Sequence, residues 1–269
     1  MNYTHQLIFL QQQFDTWMLY FFAYGFIGWL WESGYVSWHK HKWVNSGFLN
    51  GPVIPVYGFS MTAVLAIVSP FAHNLVLLYL LSALTVTVIE YVTGWGMEKL
   101  FHARWWDYSK VPLNLNGRVA LPISAFWGLG VVFIVKCIHP FIARIVTHLD
   151  MRYGMFVVVL LLTLFMFDVG FTIANALAFG AATKRIGDAI ADKKAEIEAR
   201  LEDSPRAQES RQWLEEYRAS KRDGKLPRLN YVQRRLLESF PNLQLHDTVT
   251  NAKDIEDLVA LLREKARHK

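Results

Sequence analysis

The stretch MFVVVLLLTLFMF, residues 155–167, decides the fold class of this chain. It contains no charged residue, and it lies inside a mostly apolar window from about 153 to 180. A helix that crosses the hydrocarbon core of a bilayer needs about 20 mostly apolar residues. The stretch therefore predicts a membrane-spanning helix and an all-α integral membrane protein.

Toward the N-terminus, four further windows meet the same criterion, at about 16–38, 52–70, 75–97 and 119–141. Together the five windows predict a five-span transmembrane helix bundle over residues 1–183. Residues 184–269 hold 19 of the 28 Lys and Arg residues and 16 of the 23 Asp and Glu residues. This partition predicts a charged helical tail in water, with helices at about 181–203, 205–222, 230–239 and 252–267.

The distribution of Lys and Arg predicts the orientation, because basic residues stay on the cytosolic side of a membrane. A cytosolic tail and five spans place the N-terminus outside. The first connection, with Lys40 and Lys42, and the third, with four basic residues between 99 and 118, then fall inside. The second connection, 71–74, has no Lys or Arg and falls outside, whereas Arg144 and Arg152 in the fourth argue mildly against this arrangement. The expected location is the cell membrane.

Several function classes find no support in the sequence. The net charge of +5 comes without a nucleic-acid-reading motif, so nucleic acid is not an expected partner. Cys137 is the one cysteine, which excludes an intrachain disulfide. The Cys and His residues do not occur at the spacing of a metal site, so we expect no metal or cofactor. The chain also lacks a Walker A motif, so we do not expect it to be an ATPase itself.

Ionisable residues inside spans are costly and often mark a functional site. Glu32, Glu90 and Asp168 each lie about 15 residues past the outer start of a span, which is about 22 Å of helix. Glu90 and Glu98 also share one face of their helix, with Gly94 between them. We predict a cytosol-facing cavity that binds a cation or small solute and is lined by Glu32, Glu90, Glu98, Asp168 and Arg118. In the alternative interpretation these acids bond to Trp, Tyr or Arg side chains and only hold the bundle together.

Two connections carry candidate lid or gate residues. Three glycines and two prolines between 45 and 58 prevent a regular helix just before the second span. A broken helix there would point free backbone groups at a solute, although a tight turn before a proline-started helix fits equally well. The third connection combines adjacent tryptophans with an Asn-Gly turn, and it suits either a lid or an anchor at headgroup level. The candidate gate and lid residues are Asn45, Gly47, Gly51, Pro52, Trp106, Asp107 and Asn116.

Several of these segments occur in a recognisable order: 28–33, 45–58, 89–91, 98–101, 104–108 and 116–118. Over about residues 16–140 the chain resembles the bacterial membrane proteins labelled "putative type IV ABC transporter" or "putative ABC-transporter permease". One departure is Ser46, where the family pattern has Arg. The resemblance implies transport, with a separate ATPase subunit and a second copy of the chain as partners beside the lipid bilayer.

Three functions stay open at this point. A transporter or permease would use the carboxylate cavity for a cation, a cationic solute or protons. A membrane-embedded enzyme acting on a lipid or isoprenoid would use Glu90 and Glu98 as an acid/base pair, with Arg118 holding a headgroup. A non-catalytic scaffold would act through its tail.

Overall fold

The computed structural model describes residues 3–101, 103–201, 231–240 and 244–245, and most of these residues are helical. The helices of this described part are α1 (Tyr3–Lys40), α2 (Pro55–Val68), α3 (Leu75–Phe101), α4 (Leu121–Phe133), α5 (His139–Leu201) and α6 (Tyr231–Ser239). A 3-10 turn, Ser69–Phe71, follows α2, and a π-helical turn, Ile134–Ile138, joins α4 to α5.

Within the described residues, two helical stretches are long and apolar enough to cross a membrane: α3, and the continuous stretch Leu121–Ala178. The helix α2 is also apolar but shorter. Large side chains on the second stretch face outward; Phe156 is 86% exposed and Phe167 is 76% exposed. Exposed apolar surface of this extent fits lipid rather than water. The chain is therefore a membrane protein of helical architecture.

The helix α5 reverses direction at Gly154, whose backbone angles (φ 12°, ψ −104°) are not helical. Val146 before the glycine and Val158 after it share one buried cluster with Leu19. In a straight helix these two valines would lie about 18 Å apart. The α5 helix thus consists of two arms, residues 139–153 and 155–201, and the residues on the two sides of Gly154 fold back on each other.

The core of the bundle joins four helices. Its buried residues are Tyr24 of α1, Met61, Val64, Leu65 and Val68 of α2, Leu78 of α3 and Val131 of α4. Glycines let α1 and α2 approach closely, as in other membrane helix pairs. A Cβ atom at Gly28 would overlap the Tyr57 ring, and one at Gly58 would lie 2.7 Å from the Phe21 carbonyl oxygen. These glycines set where the start of α2 meets α1.

The chain divides into two compact units, which we describe separately. The first unit comprises residues 1–96 and 106–173 and contains the bundle core. It also contains the antiparallel strands β2 (Asn114–Leu115) and β3 (Val119–Ala120). The Asn116-Gly117 turn between them has positive φ at both residues, 53° and 69°, which is the conformation that Asn and Gly tolerate.

The second unit comprises residues 97–105 and 174–269. Its strands β1 (Ala103–Arg104) and β4 (Gln244–Leu245) pair antiparallel. Trp105 packs edge-to-face on both Phe101 and Phe240, at centroid distances of 5.7 and 4.9 Å. Leu236 of α6 is fully buried. These contacts hold residues 101–105 against Phe240 and β4 within the second unit.

The helix α6 confirms the helix predicted at 230–239, and α5 includes most of the one predicted at 181–203. The helices predicted at 205–222 and 252–267 lie outside the described residues.

Candidate functional site

The gate segment, residues 45–52, lies between α1 and α2 and has no regular secondary structure. Hydrogen bonds hold the segment at its start and near its end. Trp29 donates its indole N–H to Asn45 Oδ1 (2.6 Å), and Asn45 Nδ2 donates to the Asn50 carbonyl oxygen (2.6 Å). The turn at Gly47 needs a positive φ of 98°. This bonding satisfies irregular backbone that borders an apolar bundle.

Glu32 on α1 receives two hydroxyl groups. Ser46 Oγ donates to Oε1 (2.8 Å), and the Tyr57 hydroxyl donates to Oε2 (3.2 Å). Ser46 is held in place because its backbone N–H donates to Ser33 Oγ (3.0 Å). Ser46 therefore presents a neutral donor to Glu32.

Glu90 on α3 has one satisfied oxygen. The Tyr108 hydroxyl donates to Oε1 (3.2 Å), whereas Oε2 is buried and has no hydrogen-bond partner among the described residues. A buried carboxylate oxygen without a partner is costly and is rare in native structures. This atom is the clearest sign that the site is incomplete without a ligand or a proton.

Tyr108 connects the two carboxylates electrostatically. Burial raises the pKa of the Tyr108 hydroxyl above its usual range, and the charge of Glu90, its hydrogen bond to Glu90 and the charge of Glu32 raise that pKa further. Both acids therefore raise the pKa of the same tyrosine. We call Glu32, Tyr57, Glu90 and Tyr108 the carboxylate–tyrosine cluster.

The lid, residues 106–118, packs on α3 one turn beyond Glu90. Trp106 donates its indole N–H to the Arg118 carbonyl oxygen (2.9 Å), and its ring lies where a Cβ at Gly94 would be, 3.0 Å away. The Arg118 guanidinium lies over the Tyr91 ring, 5.5 Å from its centroid. Asn116 Nδ2 donates to the Tyr91 hydroxyl (3.0 Å). A glycine at position 94 thus allows the lid to contact α3 directly.

The other predicted site residues have different surroundings. Asp107 accepts from the backbone N–H and the hydroxyl of Ser109 in a local turn. Glu98 belongs to the second unit, where it pairs with Arg104 (3.4 Å). Asp168, on the second arm of α5, accepts from the gate segment at Asn50 and Gly51. Of the five predicted lining residues, Glu32 and Glu90 each accept a tyrosine hydroxyl, from Tyr57 and Tyr108 respectively, and a shared cavity for the five stays a prediction.

Sequence reasoning did not single out Tyr57, Tyr108 or Tyr91. Tyr108 stood in a segment read as aromatic and interfacial, and nothing in its spacing points to Glu90. Among the described residues, no group of three or more His, Cys, Asp or Glu side chains has the arrangement that would hold a metal ion.

The fold and the site define a helical membrane protein with acids inside its apolar part. The chain belongs to the family described as "Putative ABC-transporter type IV", which matches residues 19–173, more than half of its length. The match includes Glu32, Glu90, Arg118 and Asp168, and it ends at Ile173, the last residue of the first compact unit. No curated protein and no solved structure matches the chain.

Proposed function

We propose that this protein is the membrane-embedded component of an ABC-type transport system and that its carboxylate–tyrosine cluster binds a cation or cationic solute. The observation that carries the proposal is the buried Glu90 Oε2 atom, which has no partner among the described residues. Family membership supports the transport context. A bound cation would supply the missing partner.

The chemistry of the cluster favours an organic cation. Two carboxylates supply negative charge, and the Tyr57 ring lies edge-to-face against Trp127 at 5.7 Å, so aromatic surface adjoins the acids. Cationic groups bind well where aromatic faces and carboxylates meet. Ser46 leaves the charge of Glu32 available to such a ligand, since it contributes a hydroxyl rather than a guanidinium.

The proposed topology has five spans, with the N-terminus outside and the tail in the cytosol. The spans are α1, α2, α3, the α4 stretch with the first arm of α5, and the second arm of α5. With 14 residues, α2 covers only about 21 Å, less than the hydrocarbon core of about 30 Å. The gate segment would complete this crossing. The basic first and third connections support the orientation.

In this proposal the gate segment and the lid close the cytosolic side of a cavity. Asn45, Gly47, Gly51 and Pro52 form the gate, and Trp106, Asp107, Asn116 and Arg118 belong to the lid. Because Ser46 contacts Glu32 and Tyr108 contacts Glu90, movement of either segment would uncover one acid. A separate ATPase subunit and a second copy of the chain would complete the transport system.

Calorimetric titration of the full-length protein in lipid nanodiscs tests the binding step. Tetraethylammonium, Na⁺ and K⁺ serve as probes. The matched control is Asp150→Asn, an acid on the first arm of α5 that is not part of the cluster. We expect saturable binding of at least one probe that Glu90→Gln abolishes and Asp150→Asn preserves. Equal heats in wild type and Glu90→Gln would contradict the proposal, and so would purification without any associated ATPase together with no uptake in liposomes.

A cellular experiment separates transport from lipid chemistry. In cells lacking this protein, the lipid profile should match that of wild type. A changed profile that wild type restores and Glu90→Gln does not would favour a membrane-embedded enzyme acting on a lipid or isoprenoid instead.

A further inference from the structure

Asp168 accepts hydrogen bonds from four donors, so its carboxylate has little accepting capacity left for a solute. Its Oδ1 atom accepts from the Asn50 backbone N–H, Asn50 Nδ2 and Thr172 Oγ1, each at 3.1 Å. Its Oδ2 atom accepts from the Gly51 backbone N–H at 2.7 Å. An ionised carboxylate offers about four lone-pair sites. Two of these donors are consecutive backbone N–H groups of the gate segment, which points to a role in holding that segment.

The sequence of the gate segment fits this contact. A Cβ atom at Gly51 would lie 3.0 Å from Asp168 Oδ2, so glycine lets the backbone reach the carboxylate. Asn50 Nδ2 also donates to Thr172 Oγ1 (2.8 Å), and Thr172 is fully buried. The same Asn50 accepts from Asn45 through its carbonyl oxygen. One asparagine therefore joins the second arm of α5 to the start of the segment.

The closed arrangement also has a cost. Asn50 Oδ1 is buried and has no hydrogen-bond partner among the described residues. A buried acceptor without a partner destabilises the state that contains it. Opening the segment would expose this atom to water, so the contact with Asp168 holds a segment that is poised to open.

We propose that Asp168 is a positioning residue, the latch that keeps the gate segment closed over Glu32. The segment begins beside Ser46 and leads to Tyr57, and these two residues donate to the two oxygens of Glu32. Release of Asn50 and Gly51 from Asp168 frees the middle of the segment, draws Ser46 away and uncovers Glu32. The latch rests on the proposed function only for the identity of the cation that then reaches Glu32.

Hydrogen exchange of the full-length protein in lipid nanodiscs tests the latch directly, because the Asn50 and Gly51 amides are the groups that Asp168 binds. In Asp168→Asn we expect these amides to exchange about tenfold faster or more. Thr172→Val, which removes one donor and spares both amides, should give a smaller increase. Asp150→Asn removes an acid that bonds Thr16 and should leave residues 45–52 unchanged. Unchanged exchange in Asp168→Asn, or an equal increase in Asp150→Asn, overturns the proposal.

A second measurement distinguishes a latch from a merely structural contact. Dicyclohexylcarbodiimide modifies carboxyl groups that it can reach, and mass spectrometry locates the modified residue. In Asp168→Asn we expect several-fold faster modification of Glu32, with Glu98 in the second unit unchanged. A loosened segment with Glu32 still protected would overturn the latch. Neither readout involves transport, so wild-type protein that binds no cation would contradict the proposed function while leaving the latch standing.

Discussion

The Tyr108 hydroxyl donates to Glu90 Oε1 across 3.2 Å, and the second oxygen of that carboxylate is buried without a partner in the described part of the chain. The donor belongs to the lid, whereas the acceptor belongs to a helix long enough to cross the membrane. The bond therefore links the lid to an acid inside the apolar part of the chain. It stabilises the charged form of Glu90 in surroundings that otherwise disfavour it.

We expect Tyr108→Phe to weaken cation binding about tenfold. A hydrogen bond to a charged group contributes about 1.5–3 kcal/mol, and a loss of about 1.4 kcal/mol is a factor of ten in affinity. Without the hydroxyl, the Glu90 carboxylate loses the donor that stabilises its charge. Titration with tetraethylammonium measures the change. Tyr153→Phe is the control, because its ring is half exposed and lies against Arg152; the same loss in both variants would argue against the specific bond.

The raised pKa of Tyr108 predicts a loss of stability at high pH. Burial and the neighbouring Glu90 and Glu32 charges keep this phenol protonated in the folded protein beyond the usual tyrosine pKa of about 10. Above that pH the unfolded chain releases the proton first, so the free energy of unfolding falls as pH rises. Thermal unfolding between pH 8 and 11 should show a shallower decline in Tyr108→Phe than in wild type. Parallel curves would show that Tyr108 contributes nothing.

Glu90→Gln should abolish cation binding while the protein stays folded. The substitution preserves the shape of the side chain and an acceptor for the Tyr108 hydroxyl, but it removes the charge. Stability should change little or rise, because a buried charge is costly and one oxygen of the Glu90 carboxylate has no partner among the described residues. Glu98→Gln is the matched control on the same helix; it removes the Arg104 ion pair in the second unit and should leave binding intact. Binding that survives Glu90→Gln would move the site elsewhere.

The helices could be predicted from the sequence because long apolar runs leave few alternatives. The window at 75–97 corresponds to Leu75–Phe101, whereas the reversal at Gly154 falls just inside the fifth window, which was predicted to begin at about 153. The ends were harder to predict. The helix α1 begins at Tyr3, well before the window at 16–38. Helix formation does not require a continuous apolar run, so an apolar window does not mark where a helix begins. Pro55 starts α2 three residues after the predicted position, as proline favours the first helical turn.

The site was only partly predictable. Glu32 and Glu90 attract attention because acids are rare in apolar segments, and a shared role for them stays a prediction. The tyrosines are common in membrane proteins, so Tyr57 and Tyr108 gain meaning only when tertiary contacts place their hydroxyls on the acids. The donors to Asp168 are backbone N–H groups, which every residue except proline has. No sequence pattern reports where such groups will point.

Two glycines on α3 provide a test of lid packing. A Cβ at Gly94 would lie 3.0 Å from the Trp106 ring, whereas a Cβ at Gly96 would meet nothing within 4 Å. We expect Gly96→Ala to stabilise the helix by up to about 1 kcal/mol. Gly94→Ala should lose that gain, since the ring must move and overpacking costs about 1–3 kcal/mol. Thermal unfolding and the tryptophan emission of the two variants measure the difference, and identical behaviour would mean that the lid does not rest on Gly94.

The second unit offers a test between a transporter and a scaffold that acts through its tail. Leu236 is fully buried in α6, so Leu236→Ala should destabilise that unit by about 2–5 kcal/mol. Tyr231→Ala, at a side chain that is 68% exposed, should change stability by less than about 0.5 kcal/mol.

The carboxylate–tyrosine cluster lies in the first unit, which the family match also covers. If the cluster carries the function, Leu236→Ala weakens protection of residues 231–240 from hydrogen exchange but leaves tetraethylammonium binding within about twofold of wild type. Binding that persists while the cellular function disappears would instead favour the scaffold, because only the tail would then have been lost.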